Sequence, residues 1–514
     1  MLFNSYVFLF AFLPVSVAGF FACALVRLRL ATIWLVVCSI VFYGWWDWRL
    51  TTVLLASIVT NYIFGRDIVT KIASGRRASA RTSLWIIVAA NLLALGYYKY
   101  ANFFVSTVYG LADAALTWDQ VALPIGISFF TFTQIAFQVD AYQGKVTDTD
   151  PVRYVLFVTY FPHLIAGPIL HHAEMMPQFR GPQTYRLSLE AVSVGVTVFI
   201  LGLFKKLLIA DSIGGYADSV FTAATLHDLT TPTAWRGVLA YTLQIYFDFS
   251  AYCDMAIGVS RMFNIRLPAN FESPYKSRSI KEFWRRWHMT LSRFLRDYLY
   301  IPLGGNRFGP ARRYTNLCVT MVLGGLWHGA GWTYIIWGAL HGTYLCVNHG
   351  WDAMAARFGP MPQRLRGLSS VLAWSVTFIA VMTAWVFFRA PDIATALTVL
   401  AAMMGVQGDA GPTFAQIAAQ GIEPLLFWLG GDSEQVAWLI AGLAAVLFLP
   451  NIRQLMDQHG LVLPGSAPAT ATSRHILAWL RWTPSLGWAL ATIALFLVSL
   501  AYVGRVSPFL YFQF

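Results

Sequence analysis

The chain has 514 residues, of which 57% are hydrophobic and only 12% charged, and its formal charge is +12. A water-soluble domain of this length needs no such excess of apolar residues, so an ordinary globular fold is excluded and a polytopic, all-α membrane protein is expected. The positive charge is assigned to loops facing anionic lipid and not to nucleic acid, because no DNA- or RNA-binding module is visible.

In chain order, the first apolar segment, Tyr6 to Val26, has neither a basic leader nor an obvious small-residue cleavage site. It reads as a retained span and not as a removed signal peptide. Further apolar segments begin near residues 31, 51, 83, 101, 123, 152, 191, 237, 316, 369, 436 and 483. With about 20 residues needed per crossing, they suggest roughly a dozen passes. Basic residues follow the first segment (Arg27, Arg29) and, more densely, the third (Arg66, Lys71, Arg76, Arg77, Arg81), whereas the loop between holds only Asp47 and Arg49. The positive-inside rule then places the N-terminus outside the cytoplasm. The five cysteines lie in apolar stretches without CxxC spacing and read as buried free thiols.

Polar residues interrupt two of the segments. Gln134, Gln138 and Asp140 follow Leu123; Gln244, Asp248 and Tyr252 run beside Tyr246, Ser250 and Asp254 as adjacent i, i+4 stripes. Such stripes face a bundle interior, where they either knit helices together or line a cavity. Next, Tyr275 to Tyr300 carries Phe283, Trp284, Trp287, Leu291, Phe294, Leu295 and Tyr298 at helical spacing, with seven Lys/Arg against two acids on the other faces. This predicts a basic amphipathic element at a membrane surface or in a re-entrant position. Its cations, Arg285 and Arg286 among them, suit either recruitment of an anionic acyl donor or anchoring to acidic headgroups. His288 inside it is either a second site histidine or an interfacial residue.

Asn316 to Asn348 contains no Asp, Glu, Lys or Arg. As one helix its 33 residues would extend roughly 50 Å, against a hydrocarbon core of about 30 Å. The excess length and the glycines at 324, 325, 329 and 331 predict a broken or strongly tilted helix around His328. An ionisable ring roughly mid-bilayer is a functional candidate, able to take a proton from a hydroxyl, and Trp327 and Trp332 would wall it against water. The alternative is a histidine hydrogen-bonded across a helix pair. His341 and His349 are read as structural. No metal is expected, since 328 and 341 are not an i, i+3 or i, i+4 pair and the segment has no carboxylate. The stretch from about Gly405 to Glu434 does not read as a clean crossing, and without internal repeats residues 1–514 are taken as one polytopic domain.

These residues also carry a resemblance. LPIGISFFTFTQIAFQVDAYQG at 123–144, YFPHLIAGPIL at 160–170, the block from LPANFESPYK to YIPLGGNR at 267–307, GLWHGAGWTYIIWGALHG at 325–342 and the terminal FLYFQF are together similar to the membrane-bound O-acyltransferase (MBOAT) superfamily, in particular its bacterial alginate O-acetyltransferase-like branch. The resemblance implies an MBOAT-like fold with a central tunnel, centred on about 123–350, in a bacterial inner membrane. It further implies that His328 is the essential histidine and His288 the second; from the residues themselves, donor or substrate contacts are expected at Arg285, Arg286, Trp327, Trp332, Asp248 and Asp254. The implied donor is acetyl-CoA, with no permanently bound cofactor. Implied partners are a separate periplasmic SGNH-type acetyltransferase, polysaccharide-synthesis machinery and membrane lipid. Whether His328 carries the acyl group or only a proton stays open. So do two competing readings: a transporter of donor or glycan without catalysis, and acylation of a lipid, protein or teichoic-acid-type acceptor.

Overall fold

A backbone in hydrocarbon has no water to satisfy its N–H and C=O groups, so the apolar segments close those bonds internally as helices. The computed structural model describes residues 1–112, 118–225, 229–357, 362–406, 419, 433–466, 480–504 and 509–510, and among them no strand occurs. The expected irregular stretch from Gly405 to Glu434 thus lies largely outside the described residues, as do the last four residues of the chain. In order the helices are α1 Leu13–Val26, α2 Leu28–Gly44, α3 Trp48–Ala73, α4 Arg77–Leu95, α5 Ala101–Leu111, α6 Ile127–Tyr142, α7 Pro151–Thr159, α8 His172–Arg180, α9 Leu189–Phe204 and α10 Asp211–Thr225. They continue as α11 Thr231–Met262, α12 Ile280–Trp284, α13 Met289–Leu295, α14 Gly309–His328, α15 Trp332–Ala355, α16 Arg366–Arg389, α17 Ile393–Met403, α18 Ser433–Phe448, α19 Ile452–Leu455 and α20 Leu486–Leu500.

Among the described residues, five continuous helical stretches are long and apolar enough to cross a bilayer: Phe8–Val26, Trp48–Ala73, Arg77–Leu111, Leu189–Thr225 and Gln363–Arg389. Shorter apolar helices, α2, α17, α18 and α20, accompany them. The chain is therefore a multi-pass, all-α membrane protein. The segment expected to cross near residue 152 does not do so as a helix: α7 has 9 residues, about 13 Å, and its Tyr154, Leu156, Phe157 and Val158 are buried in protein.

Two compact units alternate along the sequence, one formed by the described residues within 1–203, 251–270 and 452–510 and the other by those within 204–250 and 271–451. In the first, α1 and α2 meet where Trp34 lies against Gly19, whose missing side chain leaves room for the indole, and Trp34 Nε1 donates to the Ser16 carbonyl at 3.0 Å. Polar residues lock α3, α4 and α6. Asn61 and Asn91 exchange amide hydrogen bonds of 3.1 and 2.8 Å, Gln138 donates to the Asn61 carbonyl at 2.7 Å, and Gln134 donates to Ser57 at 2.9 Å. Of the two roles open to this stripe, Gln134 and Gln138 perform the knitting one. Asp140 sits against His172 Nδ1 at 3.2 Å and Lys145 at 3.7 Å.

The second unit is organised by the antiparallel hairpin of α14 and α15. A methyl group on Gly325 would lie 2.2 Å from the Tyr334 carbonyl oxygen, one on Gly338 2.4 Å from that of Met321, and one on Gly342 2.9 Å from the Cys318 Cα. Glycine at these positions lets the two backbones touch, the small-residue packing by which membrane helices associate. The predicted break near His328 is present, at Gly329–Gly331. The first arm, however, starts at Gly309 and includes Arg312 and Arg313, so His328 is the twentieth residue of a complete helix and stands at the hairpin's tip.

Candidate active site

The long amphipathic helix expected over Tyr275 to Tyr300 is interrupted. Ser279 caps α12 by accepting from the Glu282 N–H; the helix ends at Trp284, and His288, at φ 41° and ψ 53°, starts α13. Helical spacing of Phe283, Trp284 and Trp287 persists across this turn because all three are pulled into the same core, where none is more than 9% exposed. A non-glycine residue in the left-handed region costs of order 1–3 kcal/mol and is held only where its surroundings dictate it. Here the turn aims the ring inward: His288 is completely buried, edge-on to Phe249 of α11 with ring centroids 4.8 Å apart. Burial in this core favours the neutral imidazole.

The His328 ring, at the end of α14 and 5% exposed, lies 6.2 Å from that of His288, centroid to centroid. Edge-to-face contacts surround it: Trp337 of α15 at 5.1 Å and Phe388 of α16 at 5.2 Å. Trp337 in turn stacks on Trp385 at 5.8 Å and meets Phe388 at 5.2 Å. The result is a pair of imidazoles in an aromatic enclosure with low local dielectric, where hydrogen bonds and developing charge weigh more than in water.

The other sequence-predicted residues separate in placement. Trp327 is buried and its ring is 6.1 Å from that of His288. Trp332 is 52% exposed on the first turn of α15. Arg285 is exposed. Arg286 is occupied in the fold, its guanidinium 2.7 Å from Glu282 and its carbonyl accepting from the Glu272 N–H at 2.9 Å. Lys281 pairs with Asp352 and Arg296 with Asp297, so much of the basic character of this element is consumed locally. Asp248 accepts from Lys206 Nζ at 2.6 Å, and Lys206 also holds Asp211 at 2.7 Å; this buried charge group anchors α11 one residue before Phe249. Asp254 lies in the first unit, half-buried.

His341, read as structural, belongs to the same aromatic cluster. Its Nδ1 accepts from Trp284 Nε1 at 3.3 Å, its ring lies 4.8 Å from Trp337, and it is wholly buried. A neutral imidazole that accepts at Nδ1 carries its proton on Nε2, so Trp284 fixes the tautomer, and the buried Nε2 has no hydrogen-bond partner. The enclosing Phe249, Trp337, Trp385 and Phe388 were not singled out from sequence. Trp337 was findable, four residues before His341 and therefore on the same helix face.

Comparison with known proteins places this geometry in context. The model of the MBOAT, membrane-bound O-acyltransferase family matches residues 77–388, which include both histidines. The chain is 42% identical over 438 residues to the peptidoglycan O-acetyltransferase of Helicobacter pylori, covering 79% of this chain and 80% of that protein. It is 40% identical to the probable alginate O-acetylase of Azotobacter vinelandii, with both chains covered completely. It is also 28% identical to the teichoic acid D-alanyltransferase of Streptococcus thermophilus, over 51% of this chain and 68% of that one.

Proposed function

Because the chain belongs to the membrane-bound O-acyltransferase family and is an O-acyltransferase, we propose that it moves an acetyl group from a cytoplasmic thioester, acetyl-CoA, to a hydroxyl of an exported polysaccharide, with His328 as the reacting imidazole. The observation that carries this reading is the buried His328–His288 pair, 6.2 Å between ring centroids, inside a shell of Trp327, Trp337, Phe249 and Phe388. The names of the relatives, which act on peptidoglycan and alginate, support a glycan acceptor.

In the general-base form, His328 takes the proton of the acceptor hydroxyl as its oxygen attacks the thioester carbonyl. The tetrahedral oxyanion collapses, the C–S bond breaks, and the thiolate recovers the proton from the imidazolium. A neutral His288 beside it offers one N–H to the carbonyl oxygen on which charge develops. The aromatic wall excludes the water that would otherwise hydrolyse the thioester. The proposal places the chain in a bacterial inner membrane, where the acetyl group passes to an acceptor arriving from outside and a separate periplasmic SGNH-type acetyltransferase works with it to modify the polysaccharide.

A positioned base contributes about 10² to 10⁴ in rate, so His328→Ala at equal membrane abundance should lower polysaccharide acetylation at least about a hundredfold. Transfer of radiolabelled acetyl from acetyl-CoA by the purified protein reads this directly. Wild-type acetylation in the variant would remove His328 from the chemistry.

A further inference from the structure

The first unit contains a cavity of about 850 Å³ between the segment following α8, the end of α11 and the loop after α19. Its charged lining comprises Arg186, Arg261, Arg266 and Glu190, together with His459. The one carboxylate is engaged, since Glu190 Oε1 lies 2.9 Å from His459 Nδ1. Among the described residues, three arginines thus line the cavity against a single carboxylate that is already shared with His459.

Arg261 is the most constrained of them. It is only 8% exposed, its buried Nε has no hydrogen-bond partner, and it feels Arg266 as a like charge and Glu190 as an opposite one. A buried cation whose one nearby acid is shared with His459 is only partly compensated, which is expensive. Arg266 is held by its backbone, with its N–H donating to Gln178 Oε1 at 2.8 Å and its carbonyl accepting from Gln178 Nε2 at 2.9 Å. The loop comes close enough that a Cβ on Gly460, at φ 52°, would lie 3.0 Å from Arg266 Nη2. Local structure thus keeps like charges together instead of letting them part.

Guanidinium forks match phosphate oxygens bidentately, and a cavity of this size holds a phosphate with a sizeable organic group attached. From this cluster we propose that the cavity is a binding site for a phosphate-bearing anion, gripped by Arg261 and Arg266 with Arg186 at the rim. The cavity belongs to the end of α1 that leads into Arg27 and Arg29: Phe20 stacks on Tyr185 at 5.5 Å and meets Phe263 edge-on at 5.3 Å. By the positive-inside rule that end faces the cytoplasm, where both nucleotide phosphates and inner-leaflet headgroups are available. Neither Arg261 nor Arg266 belongs to the unit that contains His328.

The test uses the full chain with two probes: adenosine 3′,5′-bisphosphate titrated calorimetrically into delipidated protein in detergent, and cardiolipin followed by native mass spectrometry. Binding of either, weakened roughly 10- to 100-fold by Arg261→Gln, supports the site, and the probe that binds identifies the source of the phosphate. Should Arg261→Gln not fold, Arg261→Lys, which keeps the charge but loses the fork, and Arg266→Gln replace it, each expected to bind more weakly at unchanged Tm. Equal affinity in all variants, or no binding of either probe, overturns the proposal.

Discussion

His288 shows how a single backbone angle makes a site. Its φ of 41° turns the chain between α12 and α13 and sends the imidazole into the core, whereas a continuous helix would carry it past. Asparagine tolerates the left-handed region better than most residues. His288→Asn should therefore fold with a Tm within a few degrees of wild type yet lose activity by about 10²-fold, the cost of a misplaced or missing polar contact at the reacting centre. Thermal unfolding and acetyl transfer on the same preparation would show it; parallel losses of both would mean the ring only packs. Trp284 and His341 predict the converse. Trp284→Phe keeps the ring but orphans His341 Nδ1, which should destabilise the protein by about 1–3 kcal/mol while leaving more activity than His328→Ala does. His328 is conspicuous in the sequence, because a histidine directly before Gly-Ala-Gly in an uncharged segment is visible without coordinates. The turn at His288 is not, since aromatic spacing suited a helix right through it, and the paired state of Arg286 depends on Glu282 and Glu272 being folded onto it.

The hairpin is the element that holds the site. Its arms meet backbone to backbone at Gly325, Gly338 and Gly342, so a methyl at Gly338, 2.4 Å from the Met321 oxygen, cannot be absorbed by a side-chain rotation. Gly338→Ala should cost about 1–3 kcal/mol as overpacking, seen as a lower Tm in detergent and a proportionate loss of transfer activity. The same closeness brings the Cys318 and Cys346 sulfurs to 3.8 Å, nearer than two independent helices would allow by chance. Mild copper–phenanthroline oxidation should link them within one chain, detected as a crosslinked peptide pair that Cys346→Ser abolishes. Failure to crosslink would contradict the pairing of α14 with α15. From sequence, the segment's surplus length and glycines showed that it must break. That it reverses completely, with its first arm reaching back to Gly309, depends on which faces those glycines occupy.

At the scale of the whole molecule, 57% hydrophobic content with so little charge points to the membrane, and long uninterrupted apolar runs, where barrel strands would alternate, point to helices. Composition was less able to tell lipid-facing spans from helices buried in protein. α6 has twelve buried positions in its sixteen residues, and α7 is too short to cross, yet both look apolar in a window. The positive-inside rule reads an orientation from the arginines, and labelling tests it. With the native cysteines replaced, Ser74→Cys, on the exposed turn after α3, should resist a membrane-impermeant maleimide in intact cells and react once the membrane is opened. Labelling in intact cells would invert the topology.

The flush seam between α14 and α15 makes the hairpin a ruler as well as a support. Each residue of a helix advances the next by about 100° around the axis. One residue inserted between Gly325 and His328 would therefore leave the seam in register while swinging the imidazole roughly a quarter-turn out of its enclosure. Helix length at this spot is an inherited dimension of the protein, and a comparison of natural variants should find substitutions there far more often than insertions or deletions.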